Sequence, residues 1–300
     1  MREECLPPRP PAPSNREDRA AGLPTPSFCS TNLITFVDIA STTSPRLRLC
    51  TWNLHLGLEL DQILRTIEEA EDFAGLDLLA LQEASVHDGH EDAEAIARRL
   101  GPDYRHLQVE THVLQGHVQA NALVWNSRRV RILEKDTLRL PGRTESRLSR
   151  TERTLLSLMP LQQRMALVFD CWIAGQAIRL YVAHLDVLGY QHKLQQFSRI
   201  LEDLTTRDEA DITILAGDLN TFKMGRRPRW TRLRSAAEEA GFEDLTSDIK
   251  WTHRSRVPAR QKLDAIFLRC DRPLRYESWS LDLPGSDHIP VFAEVLGWGD

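Results

Sequence analysis

Six short segments hold most of the residues whose types and spacing could do chemistry. Asn53 closes Thr51-Trp52-Asn53 and is followed by Leu54-His55, and Gln82-Glu83 follows an apolar run. His184 stands in Tyr181-Val182-Ala183-His184-Leu185-Asp186, and Asp218 and Asn220 share Ala216-Gly217-Asp218-Leu219-Asn220. Lys262-Leu263-Asp264 precedes one apolar run and Ser286-Asp287-His288 precedes the last. Singly, an Asp-x-Asn is commonly a turn and a Gln-Glu pair a solvated strand end. Six such pieces in one chain, each beside an apolar run, are not accounted for by turns. Loops at strand ends are where rigid scaffolds present reactive groups. The carboxylates and amides of Asn53, Glu83, Asp218, Asn220 and Asp287 suit a hard, oxygen-seeking cation, Mg²⁺ or alternatively Mn²⁺. Two histidines and the remaining acids are left for proton transfer and charge stabilisation. The chain has no GxSxG, P-loop, HExxH or GxGxxG motif, so serine-nucleophile, nucleotide-loop and zincin chemistry lack support.

The elements that must position these residues follow from apolar periodicity. Arg46–Leu49 alternates as a half-buried strand, and Leu76–Leu81 is a short apolar strand. Ile63, Leu64, Ile67 and Ala70 share a helical face that opens after Asp61. Ala93, Ile96, Ala97 and Leu100 mark a second helix stopped by Gly101-Pro102. Ala122–Trp125 and Val130–Leu133 are expected as strands across an Asn126-Ser127 turn, and Met165–Ile173 with Ala177–Ala183 as a hairpin through Ala174-Gly175. A helix over His192–Leu204 and a buried strand over Ile212–Ala216 follow. Leu263–Leu268, Tyr276–Leu281 and Val291–Val295 complete the strands. Helices and strands alternate with hairpins between them, which is the pattern of a mixed α/β or α+β fold.

Composition narrows the class further. The 300 residues carry a formal charge of −5, 41% hydrophobic and 27% charged residues. These values exclude a fibrous repeat, a wholly disordered chain and a strongly basic nucleic-acid coat. An acidic sum does not exclude nucleic acid, because a local basic groove can supply the field. The five cysteines are dispersed, without a CxxC pair, and are expected as reduced thiols of a cytoplasmic protein. No apolar run reaches the roughly 18 residues of a membrane helix, and the opening residues have no apolar signal core. Residues 1–45 hold eight of the 16 prolines and are expected to be a mostly disordered extension of a domain spanning 46–300.

The ordered series TWNLH, LQE, NALVWN, YVAHLD, AGDLN, KLDAIF and SDHIPV resembles the endonuclease/exonuclease/phosphatase superfamily over residues 47–296. That resemblance implies a four-layer sandwich of two mixed sheets flanked by helices, with the site at one edge. It implies a metal-dependent phosphoester hydrolase. Asn53, Glu83 and Asp287 would hold the metal, and Asp218 would orient and deprotonate the attacking water. Asn220 would bond the phosphate or the water. His288 would stabilise transition-state charge, oriented by Asp264. His184 would be a second phosphate contact or an acid, and Asn121 would border the cleft. In-line attack of water on phosphorus needs such a base, a Lewis acid and oxyanion donors.

Several residues depart from that pattern or stand outside it. His55 occupies a position where apurinic-site endonucleases have an acid; packing or substrate contact is favoured there over ligation. Arg164, before the Met165 strand, is open between a structural ion pair and a phosphate contact. A basic run with Lys223, Arg226, Arg227, Arg229, Arg232 and Arg234 around Trp230 could draw a polyanion, as could Arg143, Arg147, Arg150 and Arg153. The acids among His87, Asp88, His90, Glu91 and Asp92 are better explained by a helix start than by a metal. A phosphodiester substrate is favoured, with nucleic acid a candidate. A phosphomonoesterase, a lipid phosphodiesterase and a non-catalytic binding module are the alternatives. No membrane partner is expected, and a monomer is favoured.

Overall fold

The computed structural model describes residues 46–114, 116–157, 162–222, 230–254, 260–273 and 275–297. The extension expected to be disordered over 1–45 lies outside the described residues, as do Lys223, Arg226, Arg227 and Arg229 of the basic run. In chain order the elements are β1 (Arg46–Asn53), α1 (Leu60–Glu69), β2 (Leu78–Ala84), β3 (Val86–His87), β4 (His90–Glu91), α2 (Asp92–Leu100), β5 (Tyr104–Leu114), β6 (His117–Asn126) and β7 (Val130–Arg139). Then come α3 (Arg150–Ser157), β8 (Met165–Ile173), β9 (Gln176–His184), α4 (Tyr190–Thr206), β10 (Ile212–Asp218), α5 (Trp230–Glu239), β11 (Glu243–Asp244), β12 (Asp264–Cys270), β13 (Arg275–Ser280) and β14 (Val291–Leu296).

Two six-stranded sheets form, in the orders β13-β14-β1-β2-β6-β5 and β11-β12-β10-β9-β8-β7. Each is mixed in the same way: β1 runs parallel to β2 and antiparallel to β14, while β10 runs parallel to β9 and antiparallel to β12. The sheets pack face to face. Leu47, Leu49, Leu78, Ala80 and Leu123 of the first meet Leu167, Phe169, Leu180, Val182 and Ile214 of the second in one buried cluster. The outer face of the first sheet packs Cys50, Trp52, Leu79 and Leu81 against Ile63 and Ile67 of α1 and Ile96 of α2. The outer face of the second packs Tyr181, Leu215 and Phe267 against Phe197 and Ile200 of α4 and Leu233 and Ala237 of α5. This is a four-layer α/β sandwich.

Side chains alternate across a strand, so each strand contributes one row to the space between the sheets. On β1 that row reads Leu47, Leu49, Thr51, Asn53; on β9 it reads Ile178, Leu180, Val182, His184; on β10 it reads Ile212, Ile214, Ala216, Asp218. Each row begins apolar and ends polar at the same edge of the sandwich. The same exchange occurs on β2 with Gln82, on β6 with Asn121 and Gln119, and on β12 with Asp264. The interior turns into a polar cleft where the rows change character.

The strands expected across the Asn126-Ser127 turn form, and the turn joins the two sheets, because β6 is already paired on both edges by β2 and β5. The chain leaves it with Ser127 bonded to the Asp103 carbonyl, and β7 then pairs β8. The strand β5 was not expected. Its inner positions Leu107 and Val109 alternate with His106, Gln108 and Glu110, too short an apolar signal to separate from a loop. The hairpin of β8 and β9 forms as expected, through Ala174 and Gly175 at positive φ.

Candidate active site

Asp218 is the centre of the cleft. Its Oδ1 accepts the Asn220 backbone N–H at 2.8 Å, and its Oδ2 accepts Asn53 Nδ2 at 3.0 Å. The same Oδ2 lies 3.6 Å from His184 Nε2 and 3.8 Å from His288 Nε2. Nitrogens from β1, β9 and the segment before β14 thus gather around one buried carboxylate oxygen at the end of β10, with Asn53 Nδ2 at hydrogen-bond distance and the two imidazoles just beyond it. Glu83 stands beside them, with Oε1 3.6 Å from His184 Nε2.

Local backbone sets these positions. Glu83 and Asn220 hold φ of 51° and 50°, unusual for residues with a Cβ. At Glu83 the register of β2 on β6 slips between Leu81 and Ala84, which breaks the alternation and re-aims a side chain. At Asn220 the chain turns out of β10, held by Asn220 Nδ2 on the Leu185 carbonyl at 2.9 Å. The buried Lys193 ammonium bonds the Asn220 carbonyl from α4. Strain of this kind persists where surrounding contacts over-determine it.

His288 is held on all sides. Its Nδ1–H donates to Asp264 Oδ2 at 2.8 Å. Its backbone N–H reaches Ser286 Oγ at 3.1 Å, and its carbonyl accepts Trp52 Nε1–H at 3.1 Å. Ser286 Oγ in turn donates to the Asn53 carbonyl. Thr252 Oγ1 accepts the backbone N–H groups of Leu263 and Asp264 at 2.9 and 3.0 Å, which seats Asp264. Burial alone would lower the His288 pKa, but the Asp264 and Asp218 carboxylates outweigh it and hold it up at about 10. His288 is therefore an imidazolium at neutral pH. His184 is the opposite case. Burial, then the Arg164 and His288 charges, push its pKa well below the ordinary value, so its ring is neutral.

Asp287 stands at the rim, with 37% of its side chain exposed between His55 Nδ1 at 3.7 Å and His253 Nε2 at 3.4 Å. Burial would raise its pKa, but the His253 hydrogen bond and the His288 and His55 charges bring it down to about 2. The Glu83 pKa is raised, first by burial and then by the like charges of Asp218 and Asp287, against the pull of Arg164 and His288. A cation among these acids would relieve that crowding. With the Asn53 amide, the donor set is oxygen-rich, so the residues fit a hard divalent metal. The histidines flanking Asp287, His55 and His253, add nitrogen donors at the open end.

The structure brings Asn53, Glu83, His184, Asp218, Asp264 and His288 into one contact network, with Asp287 at its rim. Asn121 stands behind it, donating Nδ2 to the Met165 carbonyl at 2.9 Å and so tying the sheets together. Arg164, read as open between a structural ion pair and a phosphate contact, is 2% exposed and lies on the Nδ1 side of His184, opposite the Nε2 that nears Asp218. Its guanidinium is spent on His184 Nδ1 and on the oxygens of Gln119 and Gln162. These contacts give the buried guanidinium a structural role within the site. Arg143 likewise turns inward, bonding Asp186 and the Leu156 carbonyl. Sequence reasoning missed His253, Thr252, Gln119 and Gln162. Gln119 was accessible from the period of two, two places before Asn121; Thr252 and His253 lie in an irregular loop that carries no periodic signal.

The sequence model of the Endonuclease/Exonuclease/phosphatase family matches residues 50–288. No curated protein matches the sequence. Among solved structures, zebrafish (D. rerio) TDP2 complexed with single-strand DNA product is 19% identical with a TM-score of 0.60, covering 83% of this chain and 98% of that one. The human Nocturnin catalytic domain with bound sulfate is 18% identical with a TM-score of 0.61, covering 84% and 94%. The Bacteroides thetaiotaomicron mannosyl-6-phosphatase Bt3783 is 15% identical with a TM-score of 0.56, covering 83% and 99%. At these identities the structures attest the shared fold. With the family match spanning every segment that builds the cleft, the chain belongs to the endonuclease/exonuclease/phosphatase family.

Proposed function

We propose that this chain is a divalent-metal-dependent phosphoester hydrolase whose substrate is a phosphodiester, with Mg²⁺ as the ion and Mn²⁺ as the alternative. The observation that carries the proposal is the convergence of Asn53, His184 and His288 on Asp218 Oδ2 beside Glu83. In it, Asp218 orients and deprotonates the attacking water, its other oxygen held by the Asn220 backbone. Asn220 bonds the phosphate or the water. The His288 imidazolium, held by Asp264, meets the charge that develops on the phosphoryl oxygens. Asn53, Glu83 and Asp287 would hold the metal, which when bound supplies a Lewis acid to a phosphoryl oxygen. Substrate binding draws on His184, with Asn121 bordering the cleft.

TDP2 with its DNA product supports a nucleic-acid branch and the mannosyl-6-phosphatase a phosphomonoesterase branch. The catalytic domain is proposed to span 46–300, with 1–45 as an extension. Free Cys50, Cys171 and Cys270 support a reducing, cytoplasmic setting, and a monomer is proposed. Among the described residues no helix is long and apolar enough to cross a membrane.

The test is hydrolysis of bis-p-nitrophenyl phosphate, p-nitrophenyl phosphate and single- and double-stranded DNA with Mg²⁺, Mn²⁺ or EDTA. Turnover with metal and none with EDTA is expected, and Asp218→Asn should lower kcat by about 10²–10⁴-fold with an unchanged circular dichroism spectrum. Full activity in that variant would overturn the assignment.

A further inference from the structure

We propose, resting on the hydrolase proposed above, that Arg164 is a positioning residue that fixes the proton of His184 on Nε2, so that His184 offers substrate a hydrogen bond and not a proton. Arg164 Nη1 lies 2.9 Å from His184 Nδ1. A guanidinium has only donors, so Nδ1 must be the acceptor and the ring proton must sit on Nε2. A second proton on Nδ1 would set an N–H against the N–H of a cation that does not give up its charge.

The guanidinium cannot swing away from this task. Its Nη1 also donates to Gln119 Oε1 at 2.8 Å, and Nη2 donates to Gln162 Oε1 at 2.8 Å. Gln119 comes from β6 in one sheet, while Arg164 and Gln162 precede β8 in the other, so both sheets clamp it.

The other end of the ring shows what the fixed proton is for. His184 Nε2 is buried and has no hydrogen-bond partner among the described residues. It points between two acids, 3.6 Å from Glu83 Oε1 and 3.6 Å from Asp218 Oδ2. A buried N–H without an acceptor is unfavourable, and a phosphoryl oxygen beside Asp218 would supply the acceptor. The donor is preorganised, since neither tautomer exchange nor ring rotation is needed when substrate arrives. His184 and the His288 imidazolium thereby differ in role although both face Asp218. His288 is paired with a carboxylate and carries charge, whereas His184 is paired with a cation and carries none.

The experiment is a long-range ¹H–¹⁵N correlation spectrum of the full chain with ¹⁵N-labelled histidine at neutral pH. His184 is assigned by the signal that His184→Asn removes. The expected wild-type pattern is the Nε2–H tautomer. A proton on Nδ1, or on both nitrogens, overturns the proposal, and this measurement needs no further variant. In Arg164→Met the Nε2–H tautomer should give way to a mixture, and kcat and kcat/KM on the phosphodiester should fall together by about tenfold or more, as for an interaction made in the transition state. Arg164→Lys, which keeps a cationic donor, should recover part of both. Should Arg164→Met fail to fold, Gln119→Leu loosens the clamp and has the same readouts. An unchanged tautomer and unchanged kcat in a folded variant overturn the proposal. Because the tautomer is read without turnover, a chain that hydrolyses nothing yet keeps the Nε2–H form overturns the hydrolase reading and upholds the positioning by Arg164.

Discussion

His288 and His184 show how environment decides the job of a side chain. Both rings are buried, and burial alone would leave both neutral. Asp264 reverses that for His288, and Arg164 reinforces it for His184. A pH prediction follows for His288, whose folded pKa of about 10 lies above its unfolded value near 6.5. The stability it contributes is fully present below that unfolded value and is lost as pH rises through about 10. Urea unfolding measured across this range should show the loss. The alkaline limb of kcat/KM should move down towards the ordinary histidine range in Asp264→Asn, because the carboxylate that holds the proton is gone. An alkaline limb unmoved by that substitution would separate Asp264 from His288.

At the scale of the element, the decisive feature is how closely β10 approaches β9. Gly217 has a φ of +148°, and a Cβ there would lie 1.9 Å from the Ala183 carbonyl oxygen. Ala183 precedes His184, and Gly217 precedes Asp218. The absent side chain therefore lets two site residues sit side by side on adjacent strands. Gly217→Ala is expected to destabilise the protein by about 1–3 kcal/mol, the range of overpacking and special-backbone substitutions. It should also separate His184 from Asp218 and depress kcat. Thermal unfolding checks the first effect, and the kinetics of the folded fraction check the second. The helices act at a distance from the chemistry, except α4, which delivers the Lys193 ammonium to the turn carrying Asn220.

For the whole molecule, the site exists only because two sheets meet. Asn53 and Glu83 come from the first sheet, and His184, Asp218 and Asp264 from the second. The core between the sheets fixes their separation. Leu180, 1% exposed and in the same β9 row as His184, is part of that core. Leu180→Ala should cost about 2–5 kcal/mol, read as a lower urea midpoint with little change in m. A metal that binds only the assembled cleft should stabilise the fold. At about a hundred times its Kd, Mg²⁺ should add about 2.7 kcal/mol and raise Tm, and EDTA should reverse the gain. A Tm indifferent to Mg²⁺ would argue against a resident ion.

The short segments were legible because chemistry leaves local traces: Asp218 and Asn220 lie two residues apart, and Asp287 adjoins His288. The strands were legible because burial of one face imposes a period of two. Sheet membership was not, since β6 and β7 are joined by an ordinary turn and only the occupancy of both β6 edges sends β7 to the other sheet. Nor was the division of labour between the two cleft histidines. Arg164 is 20 residues from His184, and Asp264 is 24 from His288. Sequence by itself determined which residue types are available and how each strand alternates, because both are local properties of the chain. Only the tertiary structure decided which charge faces which ring, because protonation responds to neighbours in space and those neighbours are brought together across two packed sheets.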